Sequence, residues 1–346
     1  MDTELLRERA RIFRNIRRFF DERNYLEVDT PLLSPFLIPE TCLEVFETRR
    51  IMPPGSRQKE KAYWLLPSPE LWMKKLLAKN RQSLYQICHC FRNGESSGRL
   101  HSPEFAMLEY YTVGADYMDS LRLTEELLSS LGFPHPAFRR LSMAEAFAEY
   151  AGFDLYGSAA EGSMEEEGRR LGLEIPPGLG THEIYDLIFI HAVEPRLRGE
   201  QPVALLDYPA FVPCLAKKSS AGNTVERWEL YINGVELANC YTEETDPDEV
   251  RRYFAAEGEA KRKTALVPHA VDPAYWQIFK NTQAEQSEGL SKRQSGGLPK
   301  RESGGLSKRK SFGFPQCSGV AMGLDRLVMA LTGRSSIDGV LPFPME

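Results

Sequence analysis

Apolar residues recur along the chain with two spacings, one typical of helices and one typical of strands. Between residues 3 and 23 the apolar side chains form one stripe with arginines on the other face, which predicts an amphipathic helix ending near Asn24. The next stretch, EVDTPLL, is typical of an extended segment that Pro31 keeps out of the centre of a regular sheet. Further helices are predicted over 116–131, 142–151, 181–194 and 246–264, and a buried strand is predicted from 201.

The pattern also predicts a hairpin between Tyr85 and Tyr111. An alternating apolar run starts at Tyr85 and ends at a turn at Asn93-Gly94, and a second apolar run covers 105–111. Several charged side chains lie beside these half-buried strands, namely Arg92, Glu95, Arg99, His101, Glu104 and Glu109. A charge in a buried strand needs a partner or a ligand, although an exposed face with mixed charges would explain any one of them.

A second hairpin is predicted at Asn233-Gly234, a sequence that favours a type I′ turn between two alternating runs. Glu236 and Glu243 follow this turn, seven residues apart. Strict alternation would place them on opposite faces, so a shared site would require a bulge near Asn239-Cys240. The pattern alone would leave both carboxylates in solvent.

Residues 62–80 predict a short strand followed by a helix. Ser68 is the predicted N-cap and Pro69 the first helical residue. Glu70 follows in the first turn, where a carboxylate interacts favourably with the helix dipole. A role at the helix N-terminus and a contact with substrate explain the presence of Glu70 equally well.

The composition is that of an ordinary globular protein, with 346 residues, 42% hydrophobic and 27% charged. We find no apolar run near the roughly 18 residues that span a bilayer, and no secretory signal, so we expect a cytoplasmic protein without a membrane partner. The six cysteines lack a Cys-x-x-Cys pair. Strand alternation would put His89 opposite Cys88 and Cys90, which favours structural cysteines over a metal site.

The net charge of −6 is unevenly distributed. Residues 287–311 repeat with a period of eight and carry seven Lys/Arg and two Glu, which leaves the remainder at −6 − 5 = −11. A body this acidic binds polyphosphate backbones poorly, which weighs against tRNA as a partner. The repeat predicts a flexible basic loop over 285–312, either a tolerated surface expansion or an arm for a partner.

Three stretches resemble the ordered motifs of class II aminoacyl-tRNA synthetases. FRNGE followed by HSPEFAMLE resembles motif 2, and CSGVAMGLDRLVMAL resembles motif 3. The first helix and the strand with Pro31 resemble motif 1, which builds the dimer interface in that family. The resemblance implies an α+β fold in a single catalytic domain over 1–346, with an antiparallel sheet flanked by helices, and a homodimer.

Class II synthetases activate a carboxylic acid as its adenylate. By resemblance, Arg92 holds the α-phosphate and the substrate carboxylate, Arg326 the γ-phosphate, and Glu95 the adenine side of ATP. The ATP-binding positions so implied are Arg92, Asn93, Gly94, Glu95, Ser102, Phe105, Glu236, Leu237, Gly323 and Arg326. The resemblance also implies that Mg²⁺ would bind Glu236 and Glu243. Arginine is suited to phosphate because its planar guanidinium group stays charged and can donate two parallel hydrogen bonds.

The chain is most similar to the lysyl-tRNA synthetase branch and, within it, to the paralogous elongation factor P lysyltransferases. These join (R)-β-lysine to a lysine of elongation factor P, and they lack the N-terminal anticodon-binding domain, as we expect for this chain. Amino-acid positions carried over from the resemblance are Ser68, Pro69, Glu70, Glu109, Tyr111, Glu243 and Ala321. Ala321 stands where lysyl-tRNA synthetases usually have glycine, and Ser102 where the family often has asparagine.

Two other functions fit the same motifs. A truncated lysyl-tRNA synthetase would activate L-lysine and charge tRNA. A synthetase-like regulator without activity is the other alternative, although the retained Arg92, Glu95, Glu236 and Arg326 disfavour it.

Overall fold

The computed structural model describes residues 3–95, 98–135, 137–199, 201–280 and 313–344. The predicted basic loop at 285–312 lies outside the described residues. The helices are α1 (Thr3–Asp21), α2 (Glu70–Asn80), α3 (Tyr117–Ser130), α4 (Met143–Tyr150), α5 (Leu155–Glu161), α6 (Met164–Arg170), α7 (Thr181–Ile188), α8 (Pro247–Thr264) and α9 (Leu324–Thr332).

The strands build two sheets within the described ranges. They are β1 (Leu26–Glu27), β2 (Leu33–Ser34), β3 (Glu47–Ile51), β4 (Glu60–Leu65), β5 (Leu84–Phe91), β6 (Glu104–Val113), β7 (Arg139–Ser142), β8 (Val203–Pro209), β9 (Thr224–Ile232), β10 (Val235–Thr242) and β11 (Cys317–Gly323). The large sheet has the order β1-β5-β6-β11-β10-β9-β8-β7, and the small one β2-β4-β3. Only the outer pairs β1-β5 and β7-β8 of the large sheet are parallel. The predicted α+β fold, a mainly antiparallel sheet flanked by helices, is confirmed.

One face of the large sheet packs against α1, α3 and α9. Leu108 and Tyr110 of β6 point to this side and are completely buried in the main core. The hydroxyls of Tyr110 and Thr124 are 2.7 Å apart, which ties β6 to α3. Because side chains alternate along a strand, Glu109 and Tyr111 point to the opposite face.

The opposite face is the one that carries the charged residues. Helices α2 and α8 bury their apolar sides near it, together with Tyr111 and Tyr275.

Arg9 of α1 lies 2.6 Å from Asp325, and the Asp325 carboxylate also accepts a hydrogen bond from the backbone of Ala106 at 2.7 Å. This aspartate therefore fixes the start of α9 against β6.

Both predicted hairpins are confirmed. Strands β5 and β6 pair antiparallel, and the turn between β9 and β10 has φ of 50° at Asn233 and 73° at Gly234, as a type I′ turn requires. The expected bulge is present but in another place, between Glu236 and Ala238 rather than near Asn239-Cys240. The tight turn twists the strands strongly, and the extra residue is inserted directly after it.

The predicted N-cap at Ser68 is wrong. Helix α2 begins at Glu70, with Pro69 in the capping position and no side-chain cap. The backbone N–H groups of Trp72 and Met73 bond to the Pro69 carbonyl, so the first turn closes without the Ser68 hydroxyl. Ser68 is thereby free to line a cavity.

Candidate active site

Two adjoining cavities open on the charged face of the large sheet. The arginine cavity is lined by both Arg92 and Arg326, and the acidic cavity by the carboxylates Glu40, Glu70, Glu109 and Glu243. The residues shared by the two cavities are Arg92, Met107, Asn239 and Ala321.

The cavities meet because their residues lie in cross-strand rows. Glu109 on β6 is level with Ala321 on β11, and Ala321 is level with Asn239 on β10. One step further along the same face, Tyr111 is level with Gly319 and Gly319 with Tyr241. Strand register therefore brings together residues more than 200 positions apart.

The guanidinium group of Arg326 is held at the start of α9. It donates to the backbone carbonyls of Glu236 at 2.7 Å and Leu100 at 3.3 Å. Its third nitrogen lies 2.9 Å from Nε2 of His101. Burial and the neighbouring Arg326 lower the pKa of His101, so the neutral ring accepts this hydrogen bond. Its carboxylate partner, Glu236, is more distant, with an oxygen 3.9 Å from the guanidinium group. The cation is therefore oriented mainly by neutral groups.

Arg92 occupies the junction of the two cavities. Its guanidinium carbon is 5.2 Å from the centre of the Phe105 ring, and one nitrogen is 3.7 Å from the Glu95 carboxylate. Its buried Nε has no hydrogen-bond partner among the described residues. Because a buried donor without a partner is costly, this arginine is suited to an anionic ligand.

The acidic cavity is organised around a cation that we did not predict, Lys74. Its fully buried ammonium group lies 2.5 Å from Glu70 and 2.6 Å from Glu243. The Tyr241 hydroxyl donates to Glu70 at 3.1 Å. The spacing of four between Glu70 and Lys74 on a helix was a usable signal for the first pair, but it could not indicate Glu243.

The remaining carboxylates of this cavity lack a comparable cation. Tyr111 donates to one oxygen of Glu109 at 2.6 Å, while the other oxygen has no hydrogen-bond partner in the described part of the chain. Burial, reinforced by Glu70, raises the pKa of Glu109 well above its ordinary value and that of Glu40 to about 7. Burial likewise raises the pKa of Glu243 to about 8, although Lys74 opposes it. Such a cavity is suited to a ligand with positive charge.

Two small residues on β11 shape the contact between the cavities. A Cβ atom on Gly319 would lie 2.6 Å from the Tyr111 ring and 2.7 Å from the Glu243 carboxylate, so only glycine fits beneath them. Ala321, two residues further, adds a methyl group where both cavities meet.

Most of the predicted site residues line one of the two cavities. In the arginine cavity these are Arg92, Glu95, Ser102, Phe105, Glu236, Leu237, Gly323 and Arg326. In the acidic cavity they are Ser68, Glu70, Glu109, Tyr111, Glu243 and Ala321. Pro69, Asn93 and Gly94 line neither cavity; Asn93 instead donates to the backbone of Val45 at 3.3 Å. Glu40, which lines the acidic cavity, was not predicted.

The predicted magnesium pair is divided between the cavities. The bulge after Glu236 brings it to the same face as Asn239 and Tyr241, but it lines the arginine cavity whereas Glu243 is paired with Lys74 in the acidic one. Among the residues that the structure describes, we find no group of three or more His, Cys, Asp or Glu arranged around a metal position.

The Cys88-His89-Cys90 stretch has the geometry expected of a strand. The two sulfur atoms are 3.8 Å apart on one face. On the other face, the exposed His89 ring lies 2.7 Å from the Glu104 carboxylate. The two thiols are free, and neither shares a face with the imidazole.

Comparison with known families gives the class of the chain. The profile of "tRNA synthetases class II (D, K and N)" matches residues 2–280 and 277–346. The chain belongs to this family, and its fold is that of a class II synthetase domain.

Individual relatives show which members of this family the chain is similar to. The chain is 34% identical over 344 residues to a protein of Avibacterium paragallinarum, covering 99% of this chain and 96% of the relative, which is named elongation factor P–(R)-beta-lysine ligase. Proteins of the same name from Pasteurella multocida and Proteus mirabilis are 35% and 34% identical over 344 and 345 residues. They cover 99% and 98% of this chain, with 95% and 94% of their own lengths. In the described segments, each helix is too short or too polar to cross a membrane.

Proposed function

We propose that the chain activates (R)-β-lysine with ATP as an adenylate and transfers it to a lysine side chain of elongation factor P. The observation that carries this proposal is the junction at Arg92, where a cavity with two arginines adjoins one with four glutamates. Glu95 and Glu236 also line the cavity with the arginines. An anionic nucleotide would be held there by the two arginines, and a cationic amino acid by the carboxylates of the acidic cavity. Their reacting groups, the α-phosphate and the carboxylate, would meet at Arg92.

Adenylate formation needs little acid–base chemistry, because the attacking carboxylate is already ionised. The barrier lies in the repulsion between two anions and in the charge that moves onto pyrophosphate, and fixed cations reduce both. Arg92 would hold the carboxylate and the α-phosphate, and Arg326 the γ-phosphate. Since His101 and two backbone carbonyls already orient Arg326, it would bind without reorganisation.

Magnesium would be held on the arginine side of the junction. Burial and the nearby Glu229 raise the pKa of Glu236, although Arg326, 3.9 Å away, and Arg92 oppose the rise. Mg²⁺, when bound, would neutralise phosphate charge. Because Glu243 already forms an ion pair with Lys74, we assign the metal contact to Glu236 and an amine contact to Glu243.

The charge of the acidic cavity supports a diamino substrate. Four carboxylates face one buried lysine and the junction arginine, which leaves anionic charge for two ammonium groups. The methyl group of Ala321 would press against an amine on the α-carbon and leave space for one placed a carbon further along. These features favour β-lysine over α-lysine.

The acidic body of the chain weighs against tRNA, a polyanion, as the acceptor. Elongation factor P as the acceptor would place the reaction in the cytoplasm. The exposed apolar side chains of Leu26, Leu32 and Leu33, on and between the short strands β1 and β2, support a homodimer through this region.

The test combines two measurements. Pyrophosphate exchange with each lysine isomer should be fastest with (R)-β-lysine, and elongation factor P should gain the mass of one β-lysyl group on incubation with enzyme and ATP. A strong preference for L-lysine together with charging of tRNA would instead identify a truncated lysyl-tRNA synthetase. Absence of exchange with every isomer would identify an inactive protein.

A further inference from the structure

A third concave surface adjoins the arginine cavity and, apart from the shared Arg326, has no role in the chemistry described above. This groove lies between the β9-β10 hairpin and α9, and it spans about 1300 Å³ including space open to solvent, compared with about 580 Å³ for the arginine cavity measured in the same way. It shares Leu100, Leu237 and Arg326 with that cavity. A molecule bound here would therefore lie directly beside the reacting groups.

The groove is cationic, in contrast to the chain as a whole. Four arginines line it, Arg99, Arg198, Arg326 and Arg334, and no Asp or Glu does so among the described residues. The net charge of the chain is −6. An acidic partner would be repelled by most of this protein, so a local cationic surface is needed for its approach.

The floor of the groove is apolar, with Ile232, Val235 and Met329 between the arginines. The stem of Arg198 lies directly over the hairpin turn, since a Cβ on Gly234 would be 2.6 Å from its side chain. A phosphate anion would gain nothing from contact with this apolar floor. A protein segment that combines carboxylates with apolar side chains matches both the rim and the floor.

The basic segment of this chain cannot be the occupant on grounds of charge. Residues 287–311 carry seven Lys/Arg and two Glu, the same sign as the groove. A nucleic acid is disfavoured by the apolar floor. The remaining occupant is the acceptor protein.

We propose that this groove is the docking site for an acidic, partly apolar surface segment of the acceptor protein, held so that the acceptor lysine enters the junction at Arg92. The inference rests on the proposed function and deepens it by assigning the partner contact. Docking and adenylate formation are then separate properties of separate residues, since Arg198 does not line either cavity of the active site.

The experiment uses the full chain with Arg198→Glu, Arg198→Gln and the double variant Arg198→Glu/Arg334→Glu. In each, pyrophosphate exchange with (R)-β-lysine should stay within about twofold of the parent. The KM for elongation factor P should rise about tenfold in Arg198→Glu and further in the double variant, with a smaller rise in Arg198→Gln. Transfer by the parent should weaken as salt is added, and transfer by the double variant should depend less on salt.

The matched control is Arg122→Glu, an exposed arginine of α3 that lines neither the groove nor either cavity. It should leave the KM for elongation factor P unchanged. An unchanged KM in the double variant would overturn the docking proposal, and so would a loss of exchange equal to the loss of transfer. If binding of tRNA weakens while binding of elongation factor P does not, the groove is a nucleic-acid site and the proposal is wrong.

The two proposals can fail separately. Absence of exchange with every lysine isomer in the parent would reject the proposed function. Direct titration of elongation factor P onto the parent and the double variant would still test the groove, with weaker binding by the double variant expected.

Discussion

The arginine cavity and the acidic cavity lie side by side on the same strands, but their charged side chains have different kinds of partner. Arg326 is oriented by carbonyl groups and a neutral histidine, and its carboxylate partner Glu236 is 3.9 Å away, so the guanidinium group can still pair with a ligand. Glu70 and Glu243 share one buried lysine, and the other carboxylates of their cavity have no such partner. One sheet thus carries oriented arginines in one cavity and lysine-paired glutamates in the next, and the two cavities share Arg92.

The largest effect is expected on the cationic side. Arg326→Ala should lower the rate of pyrophosphate exchange on the order of 10²- to 10³-fold, because it removes a preorganised donor to the phosphates. Arg326→Lys, which keeps the charge without the planar fork, should recover only part of the rate. Arg326→Ala also leaves two backbone carbonyls without their hydrogen-bond donor, so the melting temperature of this variant should fall by a few degrees. Exchange at the parental rate would show that the cationic cavity does not bind the nucleotide.

On the acidic side, Lys74→Met should cost about 3–5 kcal/mol in the free energy of unfolding, because it leaves buried carboxylates without their cation. Urea denaturation measures this. Adding Glu243→Gln to the variant should restore part of the loss. Lys75→Met is the matched control: its ion pair with Asp272 is more exposed, and its loss should cost about 1 kcal/mol or less. Equal costs for the two lysines would mean that the buried pairing does not organise the cavity.

The junction of the cavities should set the choice between isomers. Ala321→Gly should raise the use of α-lysine relative to β-lysine by about tenfold, which competitive exchange measures. Gly319→Ala offers the contrast, because its new methyl group would collide with Tyr111 and Glu243. It should weaken binding of every isomer to a similar extent. An unchanged isomer ratio in Ala321→Gly would remove that residue from the explanation.

The acidic side should also make the stability of the protein depend on pH. The pKa of Glu243 is raised from 4.5 to about 8, so the folded state binds more protons than the unfolded state between these values. This group therefore makes the ligand-free protein less stable as pH rises from about 4.5 to about 8, by at most about 1.4 kcal/mol per pH unit. Glu243→Gln should give a shallower decline in urea titrations. Excess diamino acid should flatten the decline in the parent; a decline identical in parent and variant would contradict the assignment.

Local signals in the sequence were sufficient for the two hairpins. Asn233-Gly234 specifies its turn by backbone preference, and Tyr85 to Tyr111 alternates clearly, so both could be predicted without knowledge of the fold. The bulge could be expected from the need to bring Glu236 to the site face. Its position could not, because twist and pairing with β9 decide where the extra residue goes.

Other errors came from contacts between distant segments. Ser68 has the sequence of an N-cap, but the hydrogen bonds of the first turn begin at Pro69 and the serine lines a cavity instead. Glu40 and Lys74 were missed because an isolated charge in a sequence is most often solvated. Their importance depends on which strands lie beside them.

The motifs alone determined the class of fold, the two arginines and most of the cavity residues, because each motif is a short stretch whose residue types are tied to its chemistry. The division of Glu236 and Glu243 between two cavities was decided only by tertiary structure. So were the pairing of Lys74 with Glu243 and the cationic groove beside α9. Burial and strand register fix the partners of a charge, and both depend on segments that lie far apart in the chain.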